Sequence, residues 1–514
     1  MTLLDQWPAE LVEVVMERIK TKERGGVKRE ASLHRWWSKR FVYMYRAILA
    51  SFLMSDYDRE TFERAIDRPE TLDAGGKVYL EPMAGGGTGV VEASLYNYTA
   101  YGIDVNPLAY SIIKGYSVLR KGVDLDRISA VIEKVKVKLS SVWQYKGKTV
   151  SYVLITRGKV PSWIYTRKGK KVVLCPKCGT AFETNEKESA RCPHCKHEVK
   201  MTIKPTFDPP KAVPYFGPWK AFGVILEDRE FVFDEEWLRS RASRLGDVKL
   251  PFEFNLIRLK EGERLIRAGI RSPSQLFTPA QLATFMEIAE ASKELDERER
   301  LILSLLTSDS VRTCTVLAKW YPPLTEPVIY GGGVKGFWVP EYTAEANPLE
   351  GARGSVSNNL KNVERITKFN FRGEIIPIYG NALDVDFPKS DLIVIDPPYY
   401  GMSIDYASLS FPHYAVWRLF DGKYSIEDAL KGEMRAESYF YVLERVLAKS
   451  KDSLKKDGRV VLIINMKGEW ERLLEVLERS ELRVVNEYEM PGESPGKLGR
   501  SSERSIKVVV LSEK

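Results

Sequence analysis

Three groups of residues in this 514-residue chain have the types and spacing to do chemistry. Four of the five cysteines, Cys175, Cys178, Cys192 and Cys195, form two C-x-x-C pairs separated by thirteen residues. Each pair donates two thiolates from one tight knuckle, so together they predict a closed, tetrahedral, structural Zn2+ site. The second group is Leu80-Glu81-Pro82-Met83-Ala84-Gly85-Gly86-Gly87-Thr88-Gly89. Its glycines allow a sharp turn and close approach of the backbone to a ligand. Asp104, 19 residues beyond Gly85, stands where a carboxylate takes both ribose hydroxyls of a nucleoside. A dinucleotide and S-adenosyl-L-methionine both fit this pattern. The dinucleotide fingerprint G-x-G-x-x-G falls on Ala84, Gly86 and Gly89 and lacks its first glycine.

The third group decides between them. Asp391-Leu392-Ile393-Val394-Ile395 runs into Asp396-Pro397-Pro398-Tyr399. An apolar strand ending this way sets a carboxylate, a rigid carbonyl and an aromatic ring at its carboxyl edge, where open α/β sheets bind ligands. The exocyclic amine of a nucleobase is a poor nucleophile because its lone pair is delocalised into the ring. Acceptors at Asp396 and the Pro397 carbonyl take its two N–H groups and favour a more pyramidal nitrogen. Pro397 and Pro398 hold those acceptors in place, and Tyr399 offers a ring to a base taken out of its helix.

The elements that must position these groups follow an α/β rhythm. An amphipathic helix opens at Trp7-Pro8, with Leu11, Val14, Val15 and Ile19 on one face, and stops at Gly25-Gly26. Phe41 to Met54 reads as a buried helix. Val78 to Asp104 reads as strand, glycine turn, helix and strand, and Pro107 opens another helix. The rhythm breaks between about 122 and 350, which hold the cysteines, aromatic and Pro-rich loops over 207–220, and a helix starting at Thr278-Pro279. It returns with strands at 374–379, 392–395, 460–465, 482–488 and 505–511 and helices at 439–454 and 469–477. Cys314 stands alone in an apolar helical context and reads as a buried small hydrophobe.

Composition narrows the class. Hydrophobic residues at 44% and charged ones at 29% exclude disordered and fibrous chains. No apolar run approaches the roughly 18 to 20 residues of a membrane span, and the start lacks a basic-then-apolar leader. A cytoplasmic protein without membrane partners is expected. Only four glutamines beside many charges point to a thermophilic source. Lys plus Arg minus Asp plus Glu is 78 − 70 = +8. Over residues 167–204, ten Lys/Arg against four Glu give +6, with Trp163, Tyr165 and Phe182 as rings for stacking. That concentration predicts a nucleic-acid arm. His34, Trp36, Trp37 and Arg40 read equally as a ligand-holding group or as a buried aromatic helix end.

Taken together, the chain resembles the zinc-ribbon-containing adenine-specific DNA methylases, which are S-adenosylmethionine-dependent amino-group methyltransferases of the D-P-P-Y type. The matching stretches are His34-Arg35-Trp36-Trp37, Glu81 to Gly87, Leu276-Phe277-Thr278-Pro279 with Gln281-Leu282, Asp396 to Tyr400, and Tyr406 to Ser410 with Trp417. The resemblance implies a Rossmann-like core with a mostly parallel sheet and an antiparallel last strand. That core is split by a large insertion carrying the zinc ribbon and a helical region. The implied boundaries are a 1–29 N-terminal helix, core halves at 30–121 and 355–514, and an inserted recognition region at 122–354. Glu81, Pro82, Ala84, Gly85 and Gly87 would line the methionine end of the cofactor, Asp104 its ribose, and Asn381, Ala382 and Asp384 its adenine. Asp396, Pro397, Pro398 and Tyr399 would form the catalytic motif. The implied reaction is direct methyl transfer to adenine N6, with DNA favoured over RNA. Two alternatives stay open: an RNA adenine-N6 or guanine-N2 enzyme, and a nucleic-acid-binding protein with an idle core.

Overall fold

The computed structural model describes residues 2–24, 32–37, 41–321, 326–328, 337–352, 354–398, 400, 405–435, 438–464, 469–491 and 505–514. The chain forms two compact units. The first joins Met1–Val123, Asn362–Ala407 and Lys423–Lys514, and the second joins Asp124–Lys361 and Ser408–Gly422.

Among the described residues, seven strands build the first unit's sheet: β1 (Val78–Glu81), β2 (Thr99–Asp104), β3 (Ile375–Tyr379), β4 (Ser390–Ile395), β5 (Leu454–Ile464), β6 (Leu482–Pro491) and β7 (Ser505–Glu513). Their order across the sheet is β3-β2-β1-β4-β5-β7-β6. β7 runs antiparallel to both of its neighbours, and the pairs from β3 to β5 are parallel. Leu392, Ile393, Val394 and Ile395 of β4 are wholly buried, and a strand covered on both faces is written as a continuous apolar run. The strand order reverses between β1 and β4. A crevice opens at their carboxyl ends, where such sheets take ligands.

Helices α1 (Val42–Leu53), α2 (Thr88–Leu95), α3 (Pro107–Arg120), α4 (Ile426–Gly432), α5 (Tyr439–Ser453) and α6 (Trp470–Arg479) accompany the sheet. The start of α3 is local chemistry: the Asn106 side chain accepts from Leu108 N at 3.0 Å, and Pro107 fills the first turn. Tyr439, Phe440, Leu443 and Leu447 of α5 and Leu473 and Val476 of α6 join β1, β4 and β5 in one apolar cluster.

The N-terminal segment is integrated into this unit and does not stand apart as a separate helix. Trp7 stacks on Tyr488 at 4.5 Å, and Arg459 grips Asp5 at 2.6 and 2.9 Å. Its helix spans Ala9–Arg18 and continues over Ile19–Arg24; Gly25, Gly26 and Arg40 lie outside the described residues.

The second unit differs from the expectation of a ribbon and helices alone. At its centre lies an antiparallel sheet in which Lys148–Thr156 pairs with Trp219–Leu226 and with Tyr342–Ala346. The aromatic stretch read as loop contributes the strand Val213–Phe216 to it. Val150 to Thr156 is buried residue after residue, so the alternation that marks a half-exposed strand is missing. Ser408–Gly422, read as part of the second core half, groups with this unit. Cys314 is buried as expected but lies in the turns after the helix Glu297–Ser310 and not within it. Among the described residues, no helix is long and apolar enough to cross a membrane.

Candidate active site

Four strand ends of the first unit meet in one cleft of about 240 Å³. Glu81 closes β1, Asp104 closes β2, Gly380-Asn381 follow β3, and Asp396 follows β4. All of these line the cleft. Their meeting follows from the strand order, which makes β2, β1 and β4 neighbours although the chain visits the other unit between them.

The glycine turn is built by contacts that the residues themselves demand. Gly85 and Gly87 sit at φ 51° and 74°, a left-handed conformation costly for residues with a Cβ. The Gly85 N–H donates to Asp104 Oδ2 at 2.8 Å, and the Asn106 N–H donates to Oδ1 at 2.8 Å. Asp104 thus ties the turn to the end of β2. A Cβ on Gly85 would lie 2.5 Å from Trp36 Nε1, and one on Gly89 would collide with the Tyr79 hydroxyl. The Trp36 indole therefore lies directly on the turn. It also stacks on Tyr406, with centroids 5.8 Å apart and planes 8° apart.

Carboxyl groups dominate the electrostatics. Glu81 is 1% exposed and accepts from the hydroxyls of Tyr45 at 2.7 Å and Tyr79 at 3.3 Å. Burial pushes its carboxyl up to about 8, with nearby Asp396 adding to the rise. Burial raises Asp104 to about 6, opposed by the N–H groups of Asn106 and Gly85. Glu433 also lines the cleft and accepts from Ala407 N at 2.7 Å. Burial, then the charge of Asp405, raises it to about 8. At neutral pH, Glu81 and Glu433 are mainly protonated, so the cleft is far less negative than its composition.

Of the residues singled out from the sequence, Glu81, Pro82, Ala84, Gly85, Asp104, Asn381, Ala382, Asp396 and Pro398 line this cleft. Gly87, Pro397 and Asp384 do not. Gly87 packs on Ile113, which a Cβ would meet at 2.7 Å. Pro397 is buried and Asp384 is exposed. Asn381 to Asp384 form a turn and not the end of β3, because the Asn381 side chain accepts from Leu383 N at 3.0 Å and bends the chain. Tyr399 lies outside the described residues. Motif reading placed Tyr406 in a matching stretch without a role, missed Glu433 and left Trp36 undecided. The signals for Trp36 were its place in the matching stretch His34-Arg35-Trp36-Trp37 and the Gly85-Gly86 pair, which leaves room for a flat side chain.

In the second unit, the four cysteine sulfurs lie within 4.8 Å of one another. Cys175–Cys195 and Cys178–Cys192 are 3.6 and 3.7 Å apart, far beyond a disulfide bond of about 2.05 Å. A tetrahedral Zn2+ with Zn–S near 2.3 Å sets its sulfurs about 3.8 Å apart, so the donor set fits that ion. Both knuckles close by backbone bonds, Gly179 N to Cys175 O at 2.9 Å and Lys196 N to Cys192 O at 3.0 Å. His194 and His197 are exposed and outside the group.

Around the cysteines, Lys168, Lys170, Lys187 and Lys200 are exposed, whereas Arg167 pairs with Glu183 at 3.0 Å. Lys171 lies over the Trp163 ring at 4.9 Å. Tyr165, expected to stack on bases, is wholly buried and donates its hydroxyl to Arg229 O at 2.9 Å. Its side chain points into the unit because Trp163–Arg167 and Lys170–Leu174 pair as a hairpin with one face covered. Phe182 packs against the cysteine cluster.

No protein-family model matches the chain, and no curated protein matches it. Among solved structures, one similar chain is the B. subtilis M1A22 tRNA methyltransferase TrmK, at 15% identity over 30% of this chain and 44% of that one, with a TM-score of 0.16. Another is the mitomycin 7-O-methyltransferase MmcR, at 12% identity over 49% of this chain and 67% of that one, with a TM-score of 0.17. The chain thus spans less than half the length of the first.

Proposed function

We propose that this chain is an S-adenosylmethionine-dependent methyltransferase acting on an exocyclic amine of a nucleobase, with adenine N6 in DNA as the leading target. One observation carries the reading. The glycine turn clamped by Asp104 and the residues Asp396 and Pro398 line the same cleft from neighbouring strands. A nucleoside cofactor and an amine acceptor need that adjacency.

The cleft suits the cofactor. Gly85 and Gly86 line it beneath the Trp36 indole, and the Asp104 carboxylate keeps lone pairs for ribose hydroxyls beyond its bonds to Gly85 and Asn106. Bound there, the sulfonium supplies an activated methyl group. Asp396, which lines the cleft, would take an N–H group of the target amine and orient it; the same role at the Pro397 carbonyl and the stacking role of Tyr399 rest on the motif alone. In that arrangement Asp396 would also take up the proton the amine gives up on methylation and pass it to solvent. No covalent enzyme intermediate is involved. Zn2+ at Cys175, Cys178, Cys192 and Cys195 is the proposed structural ion, crosslinking two hairpins that bring cationic side chains to nucleic acid.

A radiolabelled methyl-transfer assay over duplex DNA, single-stranded DNA and tRNA, followed by nucleoside analysis, tests this reading. Label on N6-methyl-2′-deoxyadenosine from DNA is the expected result. Label on guanine alone would overturn the adenine assignment, and label only in tRNA would move the substrate to RNA. Calorimetric titration of zinc-loaded protein with S-adenosylmethionine is expected to show one site. A folded sample that binds none is the idle-core outcome.

A further inference from the structure

The second unit holds a cavity of about 800 Å³ that no motif announced, a volume within the ordinary range of ligand sites. One wall is the hairpin of Val213–Phe216 and Trp219–Leu226, whose Phe216 and Trp219 rings lie stacked at 6.2 Å and 22°. Half-buried Tyr215 adds further aromatic surface, whereas Trp219 and Phe277 are buried behind it, so Phe216 offers the accessible ring. The Arg157 guanidinium lies over Trp219 at 5.8 Å. Its three nitrogens are tied to the carbonyls of Ala268 at 2.7 Å, Val339 at 3.0 Å and Pro340 at 3.2 Å. Tyr215 is fixed as well, donating to Glu345 Oε2 at 2.7 Å, where the buried Arg241 also donates at 2.7 Å. The wall is therefore organised before any ligand arrives, which removes much of the ordering cost of binding.

At the mouth, Arg271 and Lys249 are exposed. Arg271 forms no ion pair among the described residues, and Lys249 pairs only with Asp247 at 3.0 Å. Gln275 Oε1 is taken by the N–H groups of Arg271 at 2.6 Å and Ser272 at 3.2 Å, which leaves its amide N–H groups and the exposed Ser243 hydroxyl to meet the edge of a polar ring. Flat aromatic faces, polar edge groups and cations at the rim are the chemistry that receives an unpaired base together with its phosphates.

We propose that this cavity binds an unpaired nucleobase of the nucleic acid on which the first unit acts, stacked against the Phe216–Trp219 wall with its phosphates toward Arg271. This rests on the nucleic-acid reading above. Two variants of the full, zinc-loaded chain test it. Phe216→Ala removes a stacking ring, and Arg271→Glu alters only an exposed rim charge, so folding is not at risk in the second. Both are measured for affinity to a fluorescent single-stranded oligonucleotide, for S-adenosylmethionine affinity, and for methyl transfer.

Phe216→Ala is expected to weaken oligonucleotide binding by roughly five- to a hundredfold. Arg271→Glu should weaken it less and flatten its salt dependence, and cofactor affinity should stay within about twofold in both. Photocrosslinking with a 5-iodouracil oligonucleotide should label Tyr215 or Phe216. A chain that methylates nucleic acid while both variants bind like the parent and crosslinks fall elsewhere overturns this inference alone. Aromatic peptides or free nucleosides that occupy the cavity without any oligonucleotide binding also overturn it. A parent protein that binds neither cofactor nor oligonucleotide overturns the functional reading as well.

Discussion

Asp104 is both clamp and ligand, and its protonation state decides whether it can be the second. With its carboxyl raised by burial from 3.8 to about 6, it is ionised only above that pH. Ribose hydroxyls donate to a carboxylate, so S-adenosylmethionine affinity should rise with pH through about 6 and level off beyond it. Calorimetry from pH 5 to 8 reads this directly. Asp104→Asn should flatten the profile and weaken binding by about 1.5–3 kcal/mol, the range for a hydrogen bond to a charged group. Stability runs the opposite way. Folded Glu81, raised from 4.5 to about 8, holds a proton that the unfolded chain releases above 4.5. Stability therefore falls as pH rises from about 4.5 to 8. Glu81→Gln should lessen that fall, seen as a smaller loss of Tm between pH 6 and 8. Asp396→Ala should lower methyl transfer on the order of a hundredfold or more, while cofactor affinity changes little.

Elements differ in how openly their sequence declares them. The helix Pro279–Ala291 was legible because Thr278 and Gln281 cap each other's backbone N–H groups at 3.2 Å, a purely local arrangement. The buried strands Lys148–Thr156 and Trp219–Leu226 were not, because covering both faces erases the period of two. The glycine turn lies between these cases: its residues announce a turn but not what covers it. Gly85→Ala meets both a left-handed φ and the Trp36 indole, so it should cost about 1–3 kcal/mol from overpacking alone and weaken cofactor binding. Adding Trp36→Ala removes the indole and should restore part of the stability, leaving the backbone cost. A double-mutant cycle in denaturant measures that coupling. In the cysteine hairpins, Cys175→Ser should release bound zinc, read by metal analysis, and weaken nucleic-acid binding more than cofactor binding.

At the scale of the whole molecule, charge is more informative than length. The +8 of the chain is largely the +6 of residues 167–204, and the second unit presents Lys168, Lys170 and Lys187 to solvent. Replacing these three with glutamine should reduce the slope of log affinity against log salt by roughly 0.7–0.9 for each phosphate that is no longer neutralised. Binding isotherms between about 50 and 200 mM salt give that slope. Cofactor titrations on the same protein should not change, because Lys168, Lys170 and Lys187 are not among the residues lining the first unit's cleft. The length also divides differently from a simple count of domains: segments from both ends of the chain share one sheet, and the middle folds around its own.

By itself, the sequence determined whatever depends on neighbours along the chain. Two C-x-x-C knuckles bring four sulfurs together, an apolar strand ends in Asp396-Pro397-Pro398, and glycines turn the backbone after Glu81. Those features need only a few residues in a row, so their chemistry can be read before any fold is known. Tertiary structure alone decided which strand ends adjoin, that Asp104 holds Gly85, that Trp36 lies on the turn, that Tyr165 faces inward, and that a second cavity exists. Each of these joins residues distant in sequence, and such contacts follow from the order in which strands pair and faces are buried, which no local pattern encodes.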